Sequence, residues 1–441
     1  MTTILNETHD PGLTSWVESA NRPECDFPLQ NLPFGVFSTE GGAPRVGVAI
    51  GAAILDVSAA VGRGLFQEPA LEAAKACAQG SLNALMACAP PTVSALRLAL
   101  SRMLRSGASQ MEEARLCLVP MAEATLHLPA QIGNYSDFFT SIHHASNAGR
   151  MIRPDNPLLK NFHTLPVAYH GRASTIRVSG AVCQRPYGQS LPEGAQEAVY
   201  APTAKLDFEL EVGLFVGPGN EHGETIPMEQ AEQHLFGLCL FNDWSARDVQ
   251  RWEAQPLGPF LAKSFLSTVS PWVVTMEALA PFRTAAPARA ADAPALLPYL
   301  DSAANRSAGA VAIALTAELL TPRMREQGLP AQVISRPDFS DQYWTLAQML
   351  THHAENGCLL QPGDLLGSGT VSGPTDAELG CLLELTRDGK QPLQLPNGEQ
   401  RSYLEDGDEI ILRGRCTRPG YAAIGFGACA GTVAPARKHT I

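Results

Sequence analysis

Three acidic side chains alternate with apolar ones in the segment Leu206-Asp-Phe-Glu-Leu-Glu-Val. In a β-strand this alternation would put Asp207, Glu209 and Glu211 on one face and the apolar residues on the other. Carboxylates two positions apart on a strand are roughly 6–7 Å from each other, close enough to bind one hard cation. Without a cation they repel, which favours protonation of one of them. From the pattern alone an ordinary solvated strand face is the simpler interpretation, and a cation site needs further oxygen ligands.

A further carboxylate, Asp243, follows the apolar stretch 238–241 and precedes a predicted helix that begins near Ser245. Active-site carboxylates are often found where a strand runs into a loop. Arg247 and Gln250 are three residues apart and would share a face of that helix. A guanidinium and an amide together suit the binding of an oxyanion. The alternative is a helix-capping aspartate with two solvated side chains behind it.

A histidine pair and an aspartate form a second group within the segment 135–147. If this segment is helical, Asp137 and His144 are on one face, about 10 Å apart along the axis. His144 could then be a general base and Asp137 a metal ligand near it. A lone histidine is more often structural, and His143 is an equal candidate for the base. The other pair, His352 and His353, ends a predicted amphipathic helix, and we interpret it as structural.

The composition excludes several classes of protein. The chain has 441 residues, of which 45% are hydrophobic and 17% charged, so it can form a sizeable core and is not disordered as a whole. Its formal net charge is −12 with no basic run, which argues against a nucleic-acid partner. No apolar run has transmembrane length, no signal peptide is recognisable, and the ten cysteines include no C-x-x-C pair. These features predict a cytoplasmic protein without a membrane partner.

Element signals divide the chain near Pro129 and predict two domains, 1–129 and 130–441. In the first, the segments 35–38 and 45–50 have strand character, and 69–108 has an Ala/Leu-rich helical periodicity interrupted at Pro90-Pro91. In the second, helices are predicted at 228–234, 245–252 and 343–353, and strands at 176–179, 206–216, 235–241, 271–275, 311–315, 381–385 and 409–412. The many Gly and Pro residues indicate frequent turns and a β-rich architecture. The glycine-rich segment 363–374 lacks the Lys-Ser/Thr of a P-loop.

Several long motifs in order resemble one enzyme family. They are Asp26-Phe-Pro-Leu-Gln-Asn-Leu-Pro-Phe-Gly-Val-Phe-Ser, Leu165-Pro-Val-Ala-Tyr-His-Gly-Arg-Ala-Ser, Phe215-Val-Gly-Pro-Gly-Asn, Asn242-Asp-Trp-Ser-Ala-Arg-Asp, Pro256-Leu-Gly-Pro-Phe-Leu-Ala-Lys-Ser-Phe and Gly369-Thr-Val-Ser-Gly-Pro. The family that they resemble is the fumarylacetoacetase family, and the resemblance extends from about residue 15 to 434.

The resemblance implies a metal-dependent hydrolase that cleaves the carbon–carbon bond of 4-fumarylacetoacetate, a small β-diketo acid, to fumarate and acetoacetate. This reaction is the last step of tyrosine and phenylalanine catabolism. The resemblance also implies a mixed, β-rich fold, with a small SH3-like barrel amino-terminal domain followed by a mixed β-roll catalytic domain. A homodimer and a bound Ca²⁺ or Mg²⁺ ion are implied as well.

Site residues are implied by position. The metal site comprises Asp137, Glu209, Glu211 and Asp243, with Lys263 and Ser267 beside the ion. The general base is His144, held by Glu384. Oxyanion or carbanion stabilisers are Arg247, Gln250 and Lys263. Substrate contacts are Arg153, Tyr169, Gln250 and Thr370, together with positions 139 and 254.

Two positions depart from the family pattern. Phe139 and Ala254 stand where substrate-binding tyrosines are expected. Each replacement removes a phenolic donor, and Ala254 also opens volume, so substrate binding is expected to change while the metal and the base stay in place. Two alternatives therefore remain, a related acylpyruvate or β-diketone hydrolase of the same superfamily and a catalytically silent metal-binding protein.

Overall fold

Short strands and helices make up the first part of the chain. The computed structural model describes residues 5–437. The elements up to residue 129 are β1 (Phe34–Ser38), β2 (Arg45–Ile50), β3 (Ala53–Asp56), α1 (Val57–Gly62), α2 (Ala70–Ala76), α3 (Asn83–Met86), α4 (Pro90–Leu104), α5 (Met111–Arg115), β4 (Leu118–Pro120) and β5 (Thr125–His127). The helical periodicity predicted over 69–108 is confirmed. Pro90 and Pro91 begin α4 instead of breaking it. The N–H groups of a helix's first turn have no partner within the helix, so a residue without an N–H is tolerated there.

The next part of the chain alternates strands with two helices that carry site residues. Its elements are β6 (Tyr135–Phe138), α6 (Ile142–Ile152), β7 (Ala168–His170), β8 (Ile176–Val178), β9 (Ala181–Gln184), β10 (Tyr187–Ser190), β11 (Val199–Pro202), β12 (Leu206–Asp207), β13 (Leu210–Val216), β14 (Leu235–Asp243), β15 (Ser245–Ala246), α7 (Arg247–Glu253), β16 (Ser267–Val269) and β17 (Trp272–Thr275).

The last part of the described chain adds a second sheet and four short helices. Its elements are β18 (Arg283–Thr284), α8 (Ala303–Ala308), β19 (Ala310–Val311), β20 (Ala314–Leu320), α9 (Pro322–Glu326), β21 (Gln332–Ser335), α10 (Leu346–Ala354), β22 (Leu365–Gly367), α11 (Leu382–Leu385), β23 (Leu393–Gln394), β24 (Gln400–Arg401), β25 (Glu409–Cys416) and β26 (Ile424–Ala434). Within residues 5–437, no helix combines the length and the apolar character needed to cross a bilayer.

The largest sheet has thirteen strands, and its main path runs β4-β3-β2-β1-β17-β14-β13-β22-β6-β7. Because β1 pairs with β17, the amino-terminal strands continue directly into the sheet that carries the site. A second sheet has the order β21-β20-β25-β26-β9. The prediction of a mixed, β-rich fold is confirmed. The strand pairing across residues 5–437 contains no closed barrel, so the small SH3-like barrel is not confirmed.

The centre of the large sheet lies between two hydrophobic clusters. Alternate residues of β14 face opposite ways: Leu238 and Leu240 belong to one cluster, and Cys239 and Phe241 to the other. A strand covered on both faces needs no polar alternation, which explains the continuous apolar run in this segment. The carboxylates that follow such strands are therefore held by a rigid, fully packed scaffold.

Three predicted elements are corrected by the structure. Asp137 is on strand β6, and the helix that carries His144 begins only at Ile142, so the two are not on one helix face. The segment 381–385, predicted as a strand, contains helix α11, because four residues are too few for their periodicity to distinguish a helix from a strand. The helix predicted at 228–234 is a short 3-10 turn, Ala231–His234.

Candidate active site

Four carboxylates from three separate stretches of chain meet at one point of the large sheet. Asp137 is on β6, Glu211 is on β13 and Asp243 ends β14, while Glu209 lies between β12 and β13. One oxygen each from Asp137, Glu209, Glu211 and Asp243 lies within 4.8 Å of the others, and all four residues are buried. We call this group the four-carboxylate cluster. Its position follows from the strand pairing, because β22 joins β6 on one side and β13 on the other. Gly367 of β22 lies between them, and a Cβ there would be 2.8 Å from Asp137 Oδ1 and 3.0 Å from Glu211 Oε2.

Two oxygens of the four-carboxylate cluster have no partner among the residues that the structure describes. Asp137 Oδ1 and Glu211 Oε1 are buried and form no hydrogen bond within residues 5–437. Burial and the charge of Asp243 hold the pKa of Asp137 well above its usual range, and burial and the charge of Asp137 do the same to the pKa of Glu211. Buried, unpartnered carboxylate oxygens are costly unless a cation satisfies them. Oxygen-only donors of this kind fit Ca²⁺ or Mg²⁺.

Lys263 compensates the other two carboxylates of the cluster. Its ammonium group donates to Glu209 and, at 2.7 Å, to Asp243 Oδ2, while Ser267 Oγ donates to Asp243 Oδ1 at 2.7 Å. Burial alone would lower the pKa of Lys263, but the charges of Asp243 and Glu209 raise it above its usual range. Burial tends to raise the pKa of Glu209, but Lys263 and Arg247 together lower it. Lys263 therefore stays cationic inside the protein.

Arg247, the first residue of α7, bridges the cluster to its surroundings. Its Nη1 donates to Glu209 Oε1 at 2.7 Å and to Gln250 Oε1 at 3.1 Å, and its Nε donates to Asp207 Oδ2 at 2.8 Å. The third nitrogen, Nη2, is buried and has no hydrogen-bond partner in the described part of the chain. Gln250, predicted to share a helix face with Arg247, thus contacts it directly. The free Nη2 is a donor that could meet an oxyanion.

Asp207 does not converge with Glu209 and Glu211, although the alternation predicts that all three share one strand face. It is absent from the four-carboxylate cluster, and its oxygens accept hydrogen bonds from Arg247 and from the backbone N–H groups of Leu382 and Leu383. The ladder pairing is interrupted between β12 and β13. Because of this interruption, Asp207 is not held in one continuous strand with Glu211.

His144 and Glu384 form a buried hydrogen-bonded pair. Ser141 caps the amino terminus of α6, and His144 follows in the first turn. The Nδ1 of His144 donates to Glu384 Oε2 at 2.6 Å. Glu384 also accepts from Asn147 Nδ2 at 2.9 Å and from Ser372 Oγ at 2.8 Å. This arrangement fixes the imidazole and leaves its Nε2 as the nitrogen able to accept a proton.

The hydrogen bonds around Glu384 keep it ionised. Burial would raise its pKa, but the charge of His144 and the donors of His144, Asn147 and Ser372 lower the pKa to about 2. A carboxylate held in this way stabilises an imidazolium beside it. His143 is half-buried and has no part in these contacts among the described residues. The structure therefore separates the two histidines that the sequence left equivalent.

The remaining predicted substrate residues are arranged around this centre to different degrees. Tyr169 OH donates to Asp243 Oδ2 at 3.1 Å. The ring of Phe139 packs edge-on against His144 with centroids 5.3 Å apart. Thr370 is buried, and its Oγ1 has no hydrogen-bond partner within the residues described, 5–437. Ala254 is the carboxy-terminal cap of α7, and Arg153 is that of α6. No hydrogen bond or ion pair within residues 5–437 joins Arg153 to the four-carboxylate cluster.

Sequence reasoning missed several groups at the site. Asn147 is three residues after His144 on α6, so its helix spacing could have identified it as a neighbour of the base. Ser372 is in the glycine-rich segment 363–374, and Gly367 is in the same segment. No periodicity there indicates which residue faces the site. The contacts of Ser372 and Gly367 with the site therefore depend on the tertiary fold and have no local sequence signal.

This chain is similar to known proteins along nearly its whole length. The family described as "Fumarylacetoacetase N-terminal" matches residues 30–129, and "Fumarylacetoacetate (FAA) hydrolase C-terminal" matches residues 134–434. The fumarylacetoacetase of Oryza sativa subsp. japonica is 46% identical over 433 residues, covering 96% of this chain and 98% of that protein. The fumarylacetoacetase of Bos taurus is 46% identical over 425 residues, covering 94% of this chain and 97% of that protein.

A solved structure of a fumarylacetoacetate hydrolase from Exiguobacterium antarcticum covers 92% of this chain and 100% of its own, with 16% identity and a TM-score of 0.49. The two family matches and the identity to full-length relatives establish the assignment. This chain belongs to the fumarylacetoacetase family.

Proposed function

We propose that this protein hydrolyses 4-fumarylacetoacetate to fumarate and acetoacetate, the last step of tyrosine and phenylalanine catabolism. The observation that carries the proposal is the buried pair of His144 and Glu384 in a chain 46% identical to fumarylacetoacetases over nearly its full length. Water supplies a hydroxyl group to the carbonyl carbon beside the fumaryl double bond. The bond from that carbon to the central methylene breaks, and the methylene gains a proton to become the methyl group of acetoacetate.

His144 is the general base of this reaction. Its Nε2 accepts a proton from water while its Nδ1 stays hydrogen-bonded to Glu384. Glu384 remains ionised, because its pKa is lowered to about 2. The carboxylate therefore stabilises the imidazolium that forms. General-base assistance of this kind is typically worth about 10²–10⁴ in rate.

The developing negative charge needs cationic donors in a buried site. Arg247 has its Nη2 free for this role, Gln250 supports it, and Lys263 is held beside Glu209 and Asp243. Donors that are already oriented act without reorganisation when the charge appears. These three residues are the proposed stabilisers of the oxyanion and of the departing enolate.

Asp137, Glu209, Glu211 and Asp243 would hold a Ca²⁺ or Mg²⁺ ion, with Lys263 and Ser267 beside it. The unpartnered oxygens of Asp137 and Glu211 support this assignment. When bound there, the ion would supply Lewis-acid polarisation and orientation of the diketone oxygens. Four carboxylates exceed the charge of a divalent ion, so Lys263 and Arg247 are also needed to balance the site.

Substrate binding is assigned to side chains around the base. Arg153 and Tyr169 would hold a terminal carboxylate, and Gln250 and Thr370 would donate to other oxygens. Phe139 and Ala254 complete the site without phenolic groups. The unpartnered Oγ1 of Thr370 supports its place in this set.

The proposal includes the wider properties of the protein. We infer a cytoplasmic homodimer whose partners are small molecules, with neither nucleic acid nor membrane. We also infer two domains. The first spans 1–129 and has SH3-like barrel character, and the second is a β-roll catalytic domain at 130–441. The two family matches, at 30–129 and 134–434, support this boundary.

The test is loss of the ultraviolet absorbance of fumarylacetoacetate on addition of the purified protein, with and without a chelator. We expect turnover that chelator abolishes and that Mg²⁺ or Ca²⁺ restores. Undiminished turnover in chelator would contradict the metal assignment. Absence of turnover with either ion would support the catalytically silent alternative.

Phe139 and Ala254 favour a second candidate, an acylpyruvate or related β-diketone hydrolase. Both side chains lack the hydroxyl group that a tyrosine would offer to a substrate oxygen, and fumarylacetoacetate carries two carboxylates whereas an acylpyruvate needs only one. Comparing kcat/KM for fumarylacetoacetate with that for acylpyruvates distinguishes the two candidates. The proposed function requires the higher value for fumarylacetoacetate.

A further inference from the structure

Asp207 is fully buried, and four donors surround its carboxylate. Its Oδ2 accepts hydrogen bonds from Arg247 Nε at 2.8 Å and from the backbone N–H of Leu383 at 2.9 Å. Its Oδ1 accepts from the backbone N–H of Leu382 at 2.7 Å and from that of Phe208 at 2.9 Å. Both oxygens are therefore satisfied, so Asp207 has no unpartnered oxygen to offer a cation.

These contacts join two parts of the proposed catalytic machinery. Leu382 and Leu383 are the first residues of α11, and Glu384 follows them directly. A helix of four residues cannot form on its own, because the first turn costs more conformational entropy than its hydrogen bonds return. The anionic Asp207 binds two N–H groups at the start of α11 that lack partners within the helix. It thereby fixes the backbone that carries Glu384.

The same carboxylate orients Arg247. Asp207 holds Nε, and Glu209 holds Nη1, so two edges of the planar guanidinium are fixed. Among residues 5–437, Nη2 is the one nitrogen of this guanidinium that has no partner. A guanidinium held at two nitrogens cannot rotate its third away from the site without breaking both contacts.

We propose that Asp207 is a positioning residue, whose carboxylate locks Arg247 and the helix of Glu384 in one fixed relation, so that the oxyanion donor and the base are aligned on the same substrate. This inference rests on the proposed function and deepens it. Asp207 acts through Arg247 and Glu384 and touches no substrate itself. A displacement of about 1 Å between such groups can cost about 100-fold in rate.

Asp207→Asn tests the inference. Whichever way the amide is turned, its NH₂ group faces two N–H donors, so two of the four contacts are lost while volume is kept. The matched control is Asp408→Asn. Asp408 is also fully buried and accepts from an arginine, Arg401, and from a backbone N–H, that of Glu405, but it contacts neither Arg247 nor Glu384 among the described residues.

We expect both variants to lower the melting temperature, and only Asp207→Asn to lower kcat strongly. The expected loss is about 10- to 100-fold in kcat with KM changed by less than about threefold, whereas Asp408→Asn keeps kcat within about threefold per folded molecule. Equal kcat values for the two variants would overturn the positioning role. Wild-type turnover is measured first, so that failure of the proposed function is seen separately from failure of this inference.

A double-mutant comparison adds a measurement that a purely structural role would not change. In a Glu384→Gln background, Asp207→Asn should reduce kcat by a smaller factor than in wild type, because part of its effect passes through Glu384. The same factor in both backgrounds would overturn the inference. If Asp207→Asn does not fold, Asp207→Glu is compared in the same way. It keeps the charge but shifts the carboxylate by one methylene, so wild-type kcat in that variant would also overturn it.

Discussion

Glu384 accepts a 2.6 Å hydrogen bond from Nδ1 of His144, a residue 240 positions earlier in the chain. Both side chains are buried, and Glu384 has no exposed surface. The pair therefore works as one unit in which the carboxylate sets the tautomer and the direction of the imidazole.

Glu384→Gln should lower kcat by at least about 100-fold, because a neutral amide neither fixes the Nδ1–H tautomer as firmly nor stabilises an imidazolium. Binding of the cation should be unchanged, since Glu384 is outside the four-carboxylate cluster. Steady-state kinetics and a cation titration measure both quantities. Glu378→Gln is the control, because glutamine can replace glutamate in the capping box that Glu378 forms with Thr375. Wild-type kcat in Glu384→Gln would refute the role of the pair.

The lowered pKa of Glu384 predicts a pH dependence of stability. Its pKa falls from the usual 4.5 to about 2 in the folded protein, so the folded state favours the ionised carboxylate. This contribution is complete above about pH 4.5 and is lost as the pH falls towards about 2. The difference in melting temperature between wild type and Glu384→Gln should therefore be constant at neutral pH and shrink below about pH 4.5. A difference that grows on acidification would contradict the assignment.

His144→Ala should reduce kcat by about 10²- to 10⁴-fold while the fold and the cation affinity are kept. His143→Ala is the natural control, because the neighbouring imidazole is half-buried and makes no contact with Glu384 among the described residues. Turnover and thermal unfolding are measured for both. Undiminished kcat in His144→Ala would move the base elsewhere, and His143 would be the first residue to test.

Part of this site could be predicted from local pattern. Alternation predicts that Glu209 and Glu211 share a face, and the end of the next apolar run indicates Asp243. In the structure Glu209 lies between β12 and β13 and still joins Glu211 in the four-carboxylate cluster. The sequence indicates Asp137 as a metal ligand but predicts a helix where the structure has a strand, because β6 has only four residues and shows no clear periodicity. Asp207 shares the alternation with Glu209 and Glu211, and only the interrupted strand pairing and the presence of α11 direct it elsewhere.

The pairing of His144 with Glu384 could not be obtained from spacing. The two residues are on separate short helices, and the only link between them is tertiary packing. Long motifs shared with a family supplied this pairing, and the structure brings the two side chains together. The direct pairing of β1 with β17 could likewise not be predicted, because pairing between distant strands has no local sequence signal.

Glu211→Gln should weaken binding of the divalent cation with less disturbance of other contacts than a change at Glu209 would cause. Glu211 accepts from Gly369 N–H and otherwise has an unpartnered oxygen, whereas Glu209 also pairs with Arg247 and Lys263. In wild type, Mg²⁺ or Ca²⁺ should raise the melting temperature, because it binds only the folded state.

That shift should be largely lost in Glu211→Gln and kept in Glu384→Gln, which removes a buried carboxylate outside the four-carboxylate cluster. Thermal unfolding over a series of cation concentrations provides the measurement. An equal shift in all three proteins would show that the cation binds somewhere else.

Ala254→Tyr tests whether the missing phenolic group matters for the substrate. Ala254 is half-buried at the carboxy-terminal end of α7. The same helix carries Arg247, its first residue, and Gln250. A hydroxyl group there could donate to a substrate oxygen, which is typically worth about 0.5–1.5 kcal/mol, or a roughly 2- to 13-fold lower KM. Ala254→Phe is the matched control, because it fills the same volume without the donor. If both variants lower KM equally, the gain comes from packing, and if neither does, the site already compensates for the absent tyrosine.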